Sequence, residues 1–369
     1  MNIKKLSLVA LLSLGLIACG NQNTNQTEAE EKPAVEESIE ESEEAKAPAE
    51  DTENTESEEA KEEETEDLAE DDSAHYDVNL AMLAGPTSAG AINMIEDAKA
   101  EESNFTFNEA IEGAPDAVVP KLVSGEADLA IIPANLASTL YNKTEGNISV
   151  LAINNLGVLY LVQNGEPTIT SVEDLVNSGE TIYASGQGAT PEIALNQILT
   201  TSGYNPDDLN IEFLSEASEV AQKMIAGEAN VALLPEPMVS NVLANNENAS
   251  VVLDINELFE ESTGGPLISA VLVGRKDYLD TINVPLLLEA YKNSIDKANE
   301  DIDGTAALLG KYEIIPEPIA KKALPNLALQ YIDGEEMKED LETFLGSLFA
   351  ANPQMVGGIL PEDDFYYQK

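Results

Sequence analysis

The sequence predicts an α/β fold of two similar lobes, with mainly parallel sheets joined by two crossing strands. Three observations carry that reading. Lys121 to Pro133 (KLVSGEADLAIIP) and Lys223 to Pro235 (KMIAGEANVALLP) are near copies, with Gly125 and Gly227 standing 102 positions apart. Around each copy, short apolar runs alternate with helical spacing in the order β-α-β-α-β, which implies a parallel sheet covered by helices. Strand-like runs at 150–163 and 268–273 lie between and after the copies, where they carry the chain across and back. A repeat of this length is too long for a solenoid and suits half a domain. Two similar lobes usually hold something between them.

Each element has a local reason. In the first copy, Val78 to Leu83 is strand-like and ends at Gly85-Pro86-Thr87. Ser88 to Lys99 has helical spacing through Ala91, Ile92, Ile95 and Ala98, with Thr87 or Ser88 as its N-cap. Phe105 to Ile111 reads as a strand, Pro115 to Ser124 as a helix stopped by Gly125, and Asp128 to Ile132 as a short buried strand. The second copy follows suit. Thr181 to Ala184 is a strand, Gly186 to Pro191 a turn and Glu192 to Thr201 a helix. Ile211 to Leu214 is a strand, Ala217 to Ala226 a helix stopped by Gly227, and Val231 to Leu234 the third strand. From Arg275 the chain is mainly helical, over 285–299, 303–312, 316–323 and 335–349. The last segment places Met337, Leu341, Phe344, Leu345 and Leu348 on one face, as a core-packing helix does.

The N-terminal segment reads as an address. Lys4 and Lys5 precede an apolar run, Leu6 to Ile17, too short to span a bilayer. Leu16-Ile17-Ala18-Cys19 fits a lipoprotein signal, cleaved after residue 18 with lipid on the Cys19 thiol. Cys19 is the only cysteine, which excludes a disulfide framework within one molecule. Residues 19–75 form an acidic tether with almost no aliphatic side chains, unable to offset its own ordering entropy. As a flexible coil it reaches about 40 Å. It reads as a spacer, or alternatively as an acidic interaction tail. The formal net charge of −51 argues against nucleic acid and against docking on anionic lipid.

In open parallel sheets, ligands sit outside the carboxyl ends of the strands. Four loops meet that criterion. Gly85-Pro86-Thr87-Ser88 and Gly186-Gln187-Gly188-Ala189-Thr190 each join a first strand to a first helix. Such loops either aim backbone N–H groups at an anion or polar oxygen, or are ordinary capped turns. The other two follow the matched strands: Pro133-Ala134-Asn135 and Pro235-Glu236-Pro237. Asn135 can donate and accept; an ionised Glu236 only accepts, and it suits either a cation or amine at a pocket rim or the first turn of a helix. His75, the only histidine, sits at the tether junction, so a Ser-His-Asp or Cys-His system has no base and a Cys/His zinc site no ligands. No GxxxxGK[ST] sequence occurs. Carboxylate pairs are abundant, and a carboxylate-based hydrolase stays open on this ground.

The signal at Leu16 to Cys19, the tether and the two lobes resemble a solute-binding lipoprotein of an ABC importer. Gly227-Glu228-Ala229 followed by Val231 to Pro237 (VALLPEP) is similar to a stretch of the nitrate/sulfonate/taurine group, which also takes in binders of thiamine precursors. Gly274 to Leu279 and Leu360 to Tyr367 resemble that group's return strand and C-terminal tail. The resemblance implies a type II periplasmic-binding-protein-like fold, with one lobe over 76–155 and 275–369 and the other over 165–265. It implies cleft closure on a small solute, without catalysis or cofactor, by a monomer on the outer face of the cell membrane that feeds an ABC permease and ATPase. Sulfonate, nitrate and taurine are the solutes it suggests. The site residues carried over by position are Thr87, Ser88, Asn135, Gln187, Ala189, Thr190 and Glu236. A sensory domain reporting to a membrane receptor fits the same sequence. The chain departs from the group in having no tryptophan.

Overall fold

The computed structural model describes residues 74–99 and 103–368, all within one compact unit, Glu66–Lys369. The signal segment, Cys19 and the tether up to residue 73 lie outside the described residues. The first lobe opens with β1 (Tyr76–Leu83), a 3-10 turn (Pro86–Ala91), α1 (Ile92–Asp97), β2 (Phe105–Glu112), α2 (Pro115–Ser124), β3 (Leu129–Pro133), α3 (Ala134–Lys143) and β4 (Ile148–Leu156). The second holds β5 (Leu159–Asn164), α4 (Val172–Ser178), β6 (Thr181–Ser185), α5 (Thr190–Thr201), β7 (Asn210–Leu214), α6 (Ala217–Ala226), β8 (Val231–Pro235), α7 (Met238–Asn245), β9 (Ala249–Asp254) and α8 (Ile255–Thr263). The chain then returns through β10 (Ile268–Arg275), α9 (Lys276–Leu279), α10 (Val284–Glu300), α11 (Ile302–Lys311), α12 (Glu317–Ala323), β11 (Leu329–Ile332) and α13 (Gly334–Ala351).

Two sheets result, of six strands in the order β11-β4-β10-β3-β1-β2 and five in the order β7-β6-β8-β5-β9. The repeat is preserved to the residue. Leu80 faces Glu109 and Leu129 in the first sheet, and Ile182 faces Ile211 and Val231 in the second, each 102 positions on. Gly125 (φ 78°) and Gly227 (φ 72°) end α2 and α6 in the left-handed conformation, where glycine carries no Cβ penalty. GEAD and GEAN are therefore scaffold, a helix stop followed by a strand.

Antiparallel pairing takes a larger share than the β-α-β order alone implies. Each parallel trio continues into antiparallel strands: β10, β4 and β11 beside β3, and β5 and β9 beside β8. For β5 and β10 the cause is the crossing itself. A strand that enters a sheet directly from the other lobe, with no covering helix, runs against its neighbour. The two crossings fall at Gly157-Val158, between β4 and β5, and at 264–267, between α8 and β10. They touch at Gly157, where an added Cβ would sit 2.7 Å from Leu267 Cδ2 and against Asn256 Oδ1. Asn256 is itself fixed, accepting from Leu159 N at 3.0 Å and donating to Leu159 O at 3.2 Å.

α13 ties the lobes together away from the crossings. Its buried stripe is Met337, Leu341, Phe344, Leu345 and Leu348, the face its spacing predicted. It packs on α3 and β4 on one side and on α5 and α8 on the other. Phe344 meets Phe259 of α8 edge-to-face, with ring centroids 6.3 Å apart.

Candidate functional site

A cavity of about 170 Å³ lies where the strand ends of both lobes meet the crossings. The first lobe contributes Pro133, at the end of β3, and Asn135, in the first turn of α3. The second contributes Pro235, the counterpart of Pro133, with Thr190 and Pro191 from the start of α5. The crossings and the first residues of the strands they lead into supply Val158, Leu159, Leu267, Ile268 and Ser269. Register explains the convergence. Pro133 faces Ala270 of β10, and Pro235 faces Leu159 of β5. Each matched strand thus ends beside a strand that has just crossed from the other lobe. A larger surface groove, about 380 Å³, runs along α5 and the end of α13, and none of the residues lining it is a strand end. The smaller cavity satisfies the strand-end rule in both lobes at once.

The residues that the sequence pointed to fall into three groups. Asn135 and Thr190 line the cavity together. Asn135 Nδ2 has only a long donation, 3.5 Å, to Met355 O. The Gly85 to Ser88 loop lies on the neighbouring strand but is turned inward. Ser88 is fully buried and its Oγ donates to Leu83 O at 2.6 Å, while Thr87 O accepts from Asn154 Nδ2 at 2.7 Å. In the matching loop of the second lobe Gln187 is exposed, and the N–H groups of Gly188 and Ala189 are already occupied. Glu192 Oε2 accepts from Gly188 N at 2.5 Å, and Gly186 O accepts from Ala189 N at 2.9 Å.

Glu236 forms the third group. It follows Pro235 but is itself only 3% exposed, and its carboxylate is engaged by its own helix. Ser240 N donates at 3.0 Å and Ser240 Oγ at 2.9 Å, with a further donor from the Asn326 side chain. Asn326 and Lys322 belong to the α12–β11 stretch of the other lobe, and Ser240 Oγ also lies 3.5 Å from Lys322 O. Burial pushes the Glu236 carboxyl above its ordinary value, against the pull of the Ser240 and Asn326 donors. Nearby Tyr160 is pushed up to about 12, by burial first and then by Asp254 and Glu236.

Sequence reasoning missed the crossing residues and two asparagines. Asn154 and Asn155, at the cleft end of β4, are fully buried. Their Nδ2 groups donate to Thr87 O and Leu327 O, and each Oδ1 has no hydrogen-bond partner. Paired buried amides at the end of an apolar strand were the available signal, since burying an unpaired polar atom costs about 1–3 kcal/mol. Among the described residues no group of three His, Cys, Asp or Glu side chains is placed to hold a metal ion.

The family model described as menaquinone biosynthesis matches residues 90–345, more than half of the chain and all of the cavity. The chain belongs to this family. A comparison with curated proteins gives no match. Solved structures with the same fold include an ABC transporter protein from Parabacteroides distasonis, 23% identical with a TM-score of 0.68, covering 79% of this chain and 99% of that one. The aliphatic sulphonate binding protein SsuA of Escherichia coli is 16% identical with a TM-score of 0.60, covering 79% and 92%. The nitrate-binding protein NrtA of Synechocystis is 13% identical with a TM-score of 0.52, covering 76% and 84%. At these identities the likeness is one of fold. The two-lobed α/β architecture is that of periplasmic binding proteins, as the sequence resemblance implied.

Proposed function

We propose that the chain is an extracytoplasmic binding protein that encloses a small solute between its lobes and delivers it to an ABC importer. One observation carries the reading: the cavity is assembled from equivalent strand ends of two register-matched repeats, Pro133 and Pro235, and from both crossings between them. Closing the lobes is the natural way to seal such a space, and opening them the way to empty it. Two solved structures with the same fold, SsuA and NrtA, are a sulphonate-binding and a nitrate-binding protein. Lipid on Cys19 and the acidic tether would hold the domain outside the membrane. Among the described residues no helix is long and apolar enough to cross one.

The test is thermal. A solute that binds the folded form stabilises it by RT ln(1 + [L]/Kd), about 2.7 kcal/mol at 100 Kd. A screen of sulfonates, nitrate, taurine and uncharged solutes should give a saturable rise in Tm that Thr190→Val weakens. No rise with any solute counts against the proposal.

The family's description favours a second reading, chemistry on a cleft-bound molecule, and Glu236 is the group that such chemistry would use. Its raised pKa suits a proton donor. Its position does not: it is not among the residues lining the cavity, and its carboxylate is engaged by Ser240. Recovery of a chemically altered solute after incubation with the protein, lost in Glu236→Gln, would favour the enzyme.

A further inference from the structure

We infer that the solute of this cleft is an uncharged, compact and mainly apolar molecule bearing hydroxyl, amide or carbonyl groups, rather than an oxyanion such as a sulfonate or nitrate. The inference rests on the solute-binding reading and narrows it.

The walls come first. Seven of the ten residues lining the cavity are proline or aliphatic: Pro133, Pro191 and Pro235 with Val158, Leu159, Leu267 and Ile268. The remaining three, Asn135, Thr190 and Ser269, are neutral groups that both donate and accept. None of the ten carries a positive charge. An anion moved from water into such a space loses its hydration with no counter-charge to replace it, a large cost.

Backbone N–H groups are the other way to hold an anion, and several of those in the two marked loops are already engaged. Three of the wall residues are prolines, which have no N–H. At the start of α5, Gly188 and Ala189 donate to Glu192 and to Gly186, and Pro191 has nothing to donate. Glu192 thereby fills with its own carboxylate the position an anionic ligand would need. In the matching loop of the first lobe, Pro86 opens the 3-10 turn and Ser88 turns its Oγ and N–H back onto Leu83 and Gly85. In both loops that sequence pattern alone marks as anion cradles, part of the donor set is thus already engaged.

Two unpaired acceptors lie close by in β4, outside the ten lining residues. The buried polar atoms left unpaired at the cleft end of β4 are Asn154 Oδ1 and Asn155 Oδ1. Neither amide can be turned over to present its NH2 instead, because each Nδ2 is held on a backbone carbonyl. An amine would satisfy acceptors but needs a counter-charge. Glu236, which follows the wall residue Pro235, has its carboxylate engaged by Ser240 and Asn326. At about 170 Å³ the cavity is below the roughly 300–1,000 Å³ of pockets for drug-sized ligands, so the molecule is small.

The experiment compares matched probes of one size on the full chain: benzamide and benzyl alcohol against benzoate and benzenesulfonate, with taurine and nitrate added, by titration calorimetry and thermal shift. Native mass spectrometry identifies any compound carried through purification. Benzamide should bind at least tenfold tighter than benzoate, with an affinity changing less than twofold between 50 and 500 mM NaCl, and Thr190→Val and Ser269→Ala should each weaken it severalfold. Any co-purified compound should be neutral. Tighter binding of benzoate, benzenesulfonate, taurine or nitrate, or a charged co-purified compound, overturns the inference and leaves solute binding intact. No binding by any probe together with no co-purified compound contradicts solute binding itself, and the inference falls with it.

Discussion

If α13 is the element that ties the two lobes, then Phe344→Ala should cost far more than a surface change, and the loss should be shared with the opposite lobe. Phe344 is 1% exposed and Phe259 fully buried, so each truncation removes a complete aromatic side chain from the core. Phe→Ala at such sites costs about 3–5 kcal/mol through lost transfer energy and the cavity left behind. Against a total stability of roughly 5–15 kcal/mol, that lowers Tm by several degrees or more. Part of the loss belongs to the pair. Edge-to-face rings contribute about 0.5–1.5 kcal/mol beyond their burial, and these centroids stand 6.3 Å apart. A double-mutant cycle isolates that part. Urea unfolding of Phe344→Ala, Phe259→Ala and the double variant should give singles near 4 kcal/mol and a coupling near 1 kcal/mol. Singles below about 2 kcal/mol, or a coupling indistinguishable from zero, would refute the view that α13 packs both lobes into one core.

Three further outcomes are expected. Gly157→Ala presses a methyl group into Leu267 and the fixed Asn256, so it should cost about 1–3 kcal/mol in urea unfolding; a change within 0.5 kcal/mol would contradict the contact between the crossings. Glu236 titrates above the ordinary carboxylate value, so the folded chain keeps that proton to higher pH than the unfolded chain. The stability it contributes is complete below its unfolded value of 4.5 and is lost as pH rises through the folded value. Glu236→Gln should therefore make stability fall less steeply with pH from 4.5 upward, and an unchanged slope relative to the parent would show that Glu236 is not so perturbed. Cys19→Ala should leave the protein unlipidated and released from membranes, as fractionation and mass spectrometry will show; retention on membranes contradicts the lipoprotein signal.

Much of the fold was legible because local chemistry and tertiary structure agree in the repeat. Gly125 and Gly227 can only be helix stops where the chain needs positive φ, and the apolar runs after them can only be buried strands. The α13 stripe was legible for the same reason, a period of three and four with no competing pattern. The cavity was legible in part. Asn135 and Thr190 follow from the strand-end rule applied to two copies. Val158, Leu159 and Leu267 to Ser269 do not, because which crossing residue faces the gap depends on the antiparallel registers Pro133 with Ala270 and Pro235 with Leu159. No sequence period encodes those registers. Glu236 illustrates the remaining gap. It stands where a rim carboxylate belongs, yet Ser240 one turn later captures it, and Asn326, 90 positions away, adds a further donor. The loops Gly85 to Ser88 and Gly186 to Thr190 have the composition of anion cradles, and some of their donors are engaged by neighbours, Gly188 N by Glu192 among them, a pairing visible only in three dimensions.

The most direct measurement is a crystal structure of the chain with whichever solute raises its Tm most. The account predicts that the solute lies enclosed between Pro133 and Pro235, hydrogen-bonded to at least one of Asn135, Thr190 and Ser269, with the two crossings as its floor. A solute seated in the groove along α5 and α13, or on the outer surface of either lobe, would contradict it.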